Sequence, residues 1–225
     1  MGDTVDRSPG PGPGTRILPS MRVWGIVVAG GSGSRFGGSK HVAELNGIPL
    51  WKRAADALLD CGAEGVTVVG DVPGGIPGGE RRQDSVWAGI VGSPADVDIV
   101  LVHDAARALA SPELVGSVIR RISVGDVDGA IPVVPVRDTL KRVDDGQVIG
   151  TVDRSELGAV QTPQGFRREA LVVAHEALDA EVTDDAQALE LAGMSVAVVA
   201  GEPTNLKVTY PDDLAVAVAL FGASR

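Results

Sequence analysis

The stretch VVAGGSGSRFGGSKHVAEL, residues 27–45, decides how the rest of the chain is read. An apolar run, VWGIVVAG, empties into a loop with five glycines in nine residues, and Arg35 and Lys40 stand among them. A continuous apolar run of this kind fits a strand buried on both faces of a parallel sheet. In such sheets ligands bind beyond the carboxyl ends of the strands, which is where this loop begins. Gly30, Gly31 and Gly33 let the backbone turn tightly and aim N–H groups at anionic oxygens. Arg35 and Lys40 add charge where phosphates would lie. A ligand-free glycine turn is the plain alternative, but it gives the two cations no reason to be there. Two familiar phosphate loops do not fit. The dinucleotide fingerprint needs a small residue at its sixth position, where Phe36 stands when Gly31 is the first. The Walker A loop needs glycine before lysine and Ser or Thr after it; here Ser39 precedes Lys40 and His41 follows.

Outward from this loop, strand and helix patterns alternate. PLWKRAADALLDCG has apolar residues at helical spacing, with Gly62 as a stop. GVTVVGD is a second strand. DVPGGIPGGERRQ is a loop, and DSVWAGIVGS a short helix capped by Asp84 or Ser85. VDIVLVHDAA is a buried strand ending in polar residues. SPELVGSVIRRI places Ser at the cap and Pro at the first helical position. GAIPVVPV is a strand. RDTLKRVDDGQVIGTVDR then reads as two polar strands around an Asp-Gly turn, a hairpin that projects from the body. TPQGF sets a turn before a helix, and TDDAQALE is a helix start with acids at its positive end. REALVVAHEALDA and PDDLAVAVALFG are helices; SVAVVAG and NLKVTYP are strands. The expected fold is α/β: one Rossmann-like domain over residues 21–225, a mostly parallel sheet flanked by helices, with an arm over residues 137–155. The Pro/Gly alternation of residues 1–20 predicts a disordered leader.

Composition narrows the function. The chain has 225 residues and a formal net charge of −10, which argues against nucleic-acid binding through a broad basic face. Any polyanion must be held by a local cluster of cations. Cys61 is the single cysteine, which excludes a disulfide framework and a cysteine-built zinc site and suits a reducing cytoplasm. No apolar run reaches the ~18–20 residues that cross a bilayer. The three histidines, His41, His103 and His175, stand in no triad-like setting.

The loop pattern A-G-G-x-G-x-R-F…K followed by ELNGIPLW resembles the nucleotidyltransferases that join a nucleoside triphosphate to a phosphorylated acceptor. Six later motifs occur in order: LVHDAARAL, RDTLKRV, TVDR, QTPQGFR, TDDAQALE and NLKVTYPDDL. Together they resemble the 2-C-methyl-D-erythritol 4-phosphate cytidylyltransferases of the non-mevalonate isoprenoid pathway, over residues 22–221. That resemblance implies transfer of CMP from CTP to the acceptor phosphate with Mg²⁺, and loss of pyrophosphate. The nucleophile is a phosphate oxygen already ionised at neutral pH, so catalysis is positioning and charge stabilisation, with no general base.

The resemblance also implies roles. Arg35 and Lys40 hold the triphosphate, and Lys207 steadies the acceptor phosphate or the α-phosphate. Ala29, Gly30, Gly31, Gly33, Gly79, Glu80 and Ser85 form the nucleotide pocket. Asp104 and Arg107 reach the acceptor or ribose. Asp104 is also a possible metal ligand, the alternative being Mg²⁺ held by substrate phosphates alone. Thr139 and Arg154, placed on opposite strands of the hairpin, complete the acceptor site of a partner across a two-fold homodimer. At least one of Arg81 and Arg82 reads as plain loop solubility. TPQGF and TDDAQALE carry no direct chemistry. The chain departs from the family loop in its four-residue spacer FGGS, where Ser39 replaces the usual proline. Rival readings are a cytidylyltransferase acting on ribitol 5-phosphate or another polyol phosphate, the weaker molybdopterin branch, an NAD(P)-dependent oxidoreductase, and a non-catalytic nucleotide-binding subunit.

Overall fold

The structure is a computed structural model and describes residues 21–30, 36 and 43–223. The first strand, β1 (Val23–Val28), is followed by the small hairpin β2 (Glu44–Leu45) and β3 (Ile48–Pro49). Helix α1 (Leu50–Leu59) leads to β4 (Gly65–Val69), α2 (Arg82–Val91), β5 (Ile99–Asp104) and α3 (Pro112–Ser123). After β6 (Gly129–Pro135) come the arm strands β7 (Leu140–Asp144) and β8 (Gln147–Val152), then β9 (Gly158–Val160) and β10 (Gln164–Arg167). The chain closes with α4 (Arg168–Glu176), α5 (Asp185–Leu191), β11 (Val196–Ala200) and α6 (Pro211–Ala223).

The main sheet runs β11-β6-β10-β5-β1-β4, with β9 added to β6. Strands β4, β1 and β5 are mutually parallel, as are β6 and β11. Between these halves lies β10, antiparallel to both β5 and β6. The helix-covered, largely parallel sheet expected from the sequence is therefore present, with one reversed strand in the middle. Two apolar layers sandwich it. Leu58, Leu101, Val115 and Ile122 pack on one face, and Ile26, Val86, Val100, Phe166 and Leu171 on the other. All six positions of β5 are buried, which is why its first four residues, Ile99–Val102, read as an unbroken apolar run.

Local chemistry accounts for several boundaries. Ser111 caps α3 by accepting a hydrogen bond from Leu114 N at 3.1 Å, with Pro112 at the first helical position. Asp145 (φ 43°) and Gly146 (φ 74°) supply the two left-handed residues of the tight turn between β7 and β8.

Four expectations need correction. TPQGF is not a turn before a helix: its Gln164, Gly165 and Phe166 open the central strand β10. NLKVTYP forms no strand; Val208 N donates to Ala106 O at 2.9 Å, but the segment pairs in no ladder. Helix α2 starts two residues before Asp84, so Asp84 stands at the third helical position and accepts from Arg81 N at 3.0 Å. Thr139 and Arg154 flank the arm strands at their base and are not members of them. Among the described residues, no helix is long and apolar enough to cross a membrane.

Candidate active site

The parallel strands β1 and β5 end side by side, with Val28 in register with Asp104. Their carboxyl ends, the 79–85 segment and the 201–208 loop enclose a cleft of about 180 Å³. Ala29, Gly30, Gly79, Glu80, Arg82, Ser85, Asp104 and Lys207 line it. Seven of these eight are residues expected at the site; Arg82 is an addition, and Val28, Arg81, Ala105 and Ala106, also unexpected, complete the lining. Gly31, Gly33, Arg35 and Lys40 lie outside the described residues. Arg107 lines an adjoining depression that shares Arg82, Asp104 and Lys207 with the cleft. Thr139 and Arg154 line neither; Arg154 Nη1 bonds the Arg137 carbonyl at the foot of its own arm.

The 79–85 segment is shaped by its own backbone needs. Gly79 N donates to Ser85 Oγ at 3.2 Å, folding the loop onto the start of α2. A Cβ on Gly79 would stand 2.3 Å from Asp84 Cβ, so this approach requires glycine. Arg81 pairs with Asp84 at 2.7 Å, is half exposed and stands at the edge of the cleft. Arg82 turns inward.

Asp104 sits at the centre of the charge pattern. Lys207 Nζ lies 2.6 Å from its Oδ2, and Arg82 Nε 3.6 Å from its Oδ1. Burial opposes a charged carboxyl here, but Lys207 and Arg82 outweigh it and hold Asp104 well below the usual carboxylate range. Its backbone is clamped as well: Asp104 N donates to Thr162 Oγ1 at 3.0 Å, and Thr162 Oγ1 meets His103 Nδ1 at 2.8 Å. Lys207 is carried to this point by a tied loop. Buried Asn205 donates to the Thr162 carbonyl at 2.9 Å, and Gln161 donates to the Glu202 carbonyl at 2.7 Å. Arg107 Nη1 donates to the Asn205 carbonyl at 2.8 Å and Nη2 to the Val160 carbonyl at 3.2 Å. Much of its hydrogen bonding thus holds the loop that presents Lys207. Asp104 does not fit as a direct metal ligand, because a metal ion there would face two like charges, Lys207 at 2.6 Å and Arg82 at 3.6 Å from its carboxylate. Among the described residues, no group of three or more acidic, His or Cys side chains is arranged to hold a metal ion.

Two features escaped the sequence reading. Thr162 fixes the end of β5, and Asp185, wholly buried, accepts from Arg82 Nη1 at 2.8 Å. The apolar residues around TDDAQALE carried no signal that its second acid points inward.

A cleft at the carboxyl ends of parallel strands, walled by a glycine-tight loop and a lysine-bearing loop, is the place where α/β proteins bind nucleotides, and it fits the nucleotidyltransferase class. Comparison with known proteins makes the assignment specific. The family model described as "IspD: 2-C-methyl-D-erythritol 4-phosphate cytidylyltransferase" matches residues 23–223, and the chain belongs to that family. A relative of that name from Rhodococcus jostii (strain RHA1) is 44% identical over 212 residues, which cover 87% of this chain and 93% of the relative. The "Bifunctional enzyme IspD/IspF" of Nitratidesulfovibrio vulgaris (strain DP4) is 41% identical over 226 residues, and there the chain spans only 57% of the relative's length. The crystal structure of the Thermus thermophilus protein named 2-C-methyl-D-erythritol 4-phosphate cytidylyltransferase superposes with a TM-score of 0.76 at 32% identity. That match covers 88% of this chain and 98% of the other. Membership of this family does not favour the oxidoreductase, molybdopterin or binding-subunit readings.

Proposed function

We propose that the chain transfers the cytidylyl group of CTP to 2-C-methyl-D-erythritol 4-phosphate, giving 4-diphosphocytidyl-2-C-methyl-D-erythritol and pyrophosphate. The observation that carries this reading is one cleft holding Ala29, Gly30, Gly79, Glu80, Ser85, Asp104 and Lys207 in a chain of this family. An acceptor phosphate oxygen attacks the α-phosphorus, and the bond from that phosphorus to the bridging oxygen of the β-phosphate breaks. The leaving group departs as pyrophosphate, and no proton has to be removed from the nucleophile.

The 79–85 segment, with Ala29 and Gly30, is suited to reading the cytosine by backbone groups and the Ser85 hydroxyl. Lys207, fixed beside Asp104 yet 43% exposed along its side chain, is placed to meet the phosphate that changes partners. Asp104 offers its carboxylate to hydroxyls of the acceptor. Arg35 and Lys40 are proposed for the triphosphate, with Gly31 and Gly33 beside them. Mg²⁺ is read as arriving on the phosphates, since Asp104 does not fit as its ligand. The working unit is read as residues 21–225, in the cytoplasm; the expected leader, residues 1–20, lies outside the described residues. It is read as a homodimer in which the arm, with Thr139 and Arg154, reaches the partner's acceptor site. Exposed apolar side chains on that arm, Val143 (62%), Val148 (64%) and Ile149 (63%), support a covering surface.

Pyrophosphate release with CTP and Mg²⁺ tests the reading, with methylerythritol 4-phosphate and ribitol 5-phosphate as parallel acceptors. Release with the first alone is expected. Release with ribitol 5-phosphate alone would move the acceptor, and silence with both would remove the activity. Lys207→Met is expected to lower kcat/KM by about 10²–10³-fold with CTP still bound.

A further inference from the structure

Four charged side chains and a histidine run in one line from the cleft into the layer of α2, α4 and α5. Lys207 and Arg82 flank Asp104; beyond Arg82 stands Asp185, and beyond that His175, whose Nε2 is 3.2 Å from Asp185 Oδ1. Neither Asp185 nor His175 lines the cleft. His175 is itself held by stacking on Trp87, ring centroids 6.3 Å apart.

The unequal distances in this line carry the argument. A guanidinium prefers to meet a carboxylate through two parallel hydrogen bonds, and Arg82 has two carboxylates within reach. Asp185 takes the 2.8 Å hydrogen bond, and Asp104 is left at 3.6 Å, beyond hydrogen-bond range. Asp104 Oδ2 is occupied by Lys207. Asp104 Oδ1 therefore carries charge at the cleft wall and accepts no hydrogen bond from any described residue. A carboxylate oxygen that faces the cleft without a donor from the described residues is available to a donor on a ligand. A polyol phosphate brings hydroxyl donors.

The geometry points to Asp185 as a positioning residue that draws Arg82 off Asp104, so that Asp104 Oδ1 stays open to a hydroxyl of the acceptor. His175 occupies the other oxygen of Asp185 and fixes the rotation of that carboxylate. Burial opposes charge on Asp185, but Arg82 and His175 hold its carboxyl below the usual range, so it is ionised in the working enzyme. The inference rests on the polyol phosphate reading of the site.

Asp185→Asn keeps the shape and removes the pull on Arg82, which then closes on Asp104. The KM for methylerythritol 4-phosphate is expected to rise about tenfold, the value of one hydrogen bond to a charged group, with the KM for CTP unchanged. Arg82→Gln added to Asp185→Asn removes the blocking guanidinium and is expected to bring the acceptor KM back toward wild type. A merely structural role predicts that both KM values and the melting temperature move together and that the double variant is no better; either result overturns the inference. His175→Ala, a milder change, is expected to shift the acceptor KM in the same direction, and it substitutes for Asp185→Asn if that variant does not fold. If the wild-type chain is silent with methylerythritol 4-phosphate, the activity reading fails, and a crystal structure decides the positioning separately. Arg82 within hydrogen-bond distance of Asp104 Oδ1 in the variant upholds it; Arg82 still held away overturns it.

Discussion

His103 stands one residue before Asp104, is wholly buried, and has one ring nitrogen without a partner among the described residues. Burial pushes its pKa down from 6.5 to about 4. Between those values the unfolded chain binds a proton that the folded chain refuses. Stability from this residue is therefore full above about pH 6.5 and is lost as pH falls toward about 4, by about 3 kcal/mol in all. Melting temperatures measured from pH 7.5 to 4.5 are expected to fall in the wild type and to flatten in His103→Gln. Asp104 and Asp185, held below their ordinary values, add a loss at still lower pH. Lysine inside an apolar stretch announced a site at Lys207, and its ammonium does end there. Arg81 and Arg82 are adjacent and chemically identical, so the sequence alone had no means to separate the solvated one from the buried one. That difference depends on Asp185, 103 residues away.

Helix α2 carries the 79–85 segment, and it reaches the sheet through a glycine. A Cβ on Gly89 would stand 2.5 Å from Ile26 Cγ2 and 3.2 Å from Val69 Cγ2, both in neighbouring strands. Gly89→Ala favours the isolated helix but overpacks this contact. It is expected to destabilise the fold by about 1–3 kcal/mol in urea titration, and to weaken CTP binding as α2 shifts. Elements with strong patterns were legible: β1, β4 and β5 as apolar runs, α3 from its Ser-Pro start, the arm from Asp-Gly. Strand β10 was not. Four residues, one of them glycine, leave too short a window for alternation, and the proline before them suggests a turn. NLKVTYP has strand composition and no strand, because composition reports the fit to a half-buried surface and not the presence of a neighbour to pair with.

The arm divides the molecule into a body that carries Lys207 and an extension that carries Arg154. If the extension serves a partner's site, two inactive variants can repair one another. A Lys207→Met chain co-expressed with an Arg154→Ala chain places both defects in one site of each mixed dimer and leaves the other intact. Random pairing then restores about a quarter of wild-type activity, whereas sites built from single chains restore none. Sedimentation of a chain whose 140–152 segment is replaced by a short linker is expected to show monomers.

The reversed central strand bears on how the chain is made. Strands β5 and β6 are both synthesised before residues 164–167, which join them. During that interval a newborn chain carries two apolar strands with open edges, each a template for aggregation. A chain halted at residue 160 is expected to be insoluble or chaperone-bound where one released at full length is not. The residues that join the two halves of the sheet are also those that follow Thr162, the clamp on Asp104. The joining of the two halves and the clamp on Asp104 thus arrive together in synthesis, while β11 and the loop that bears Lys207 follow.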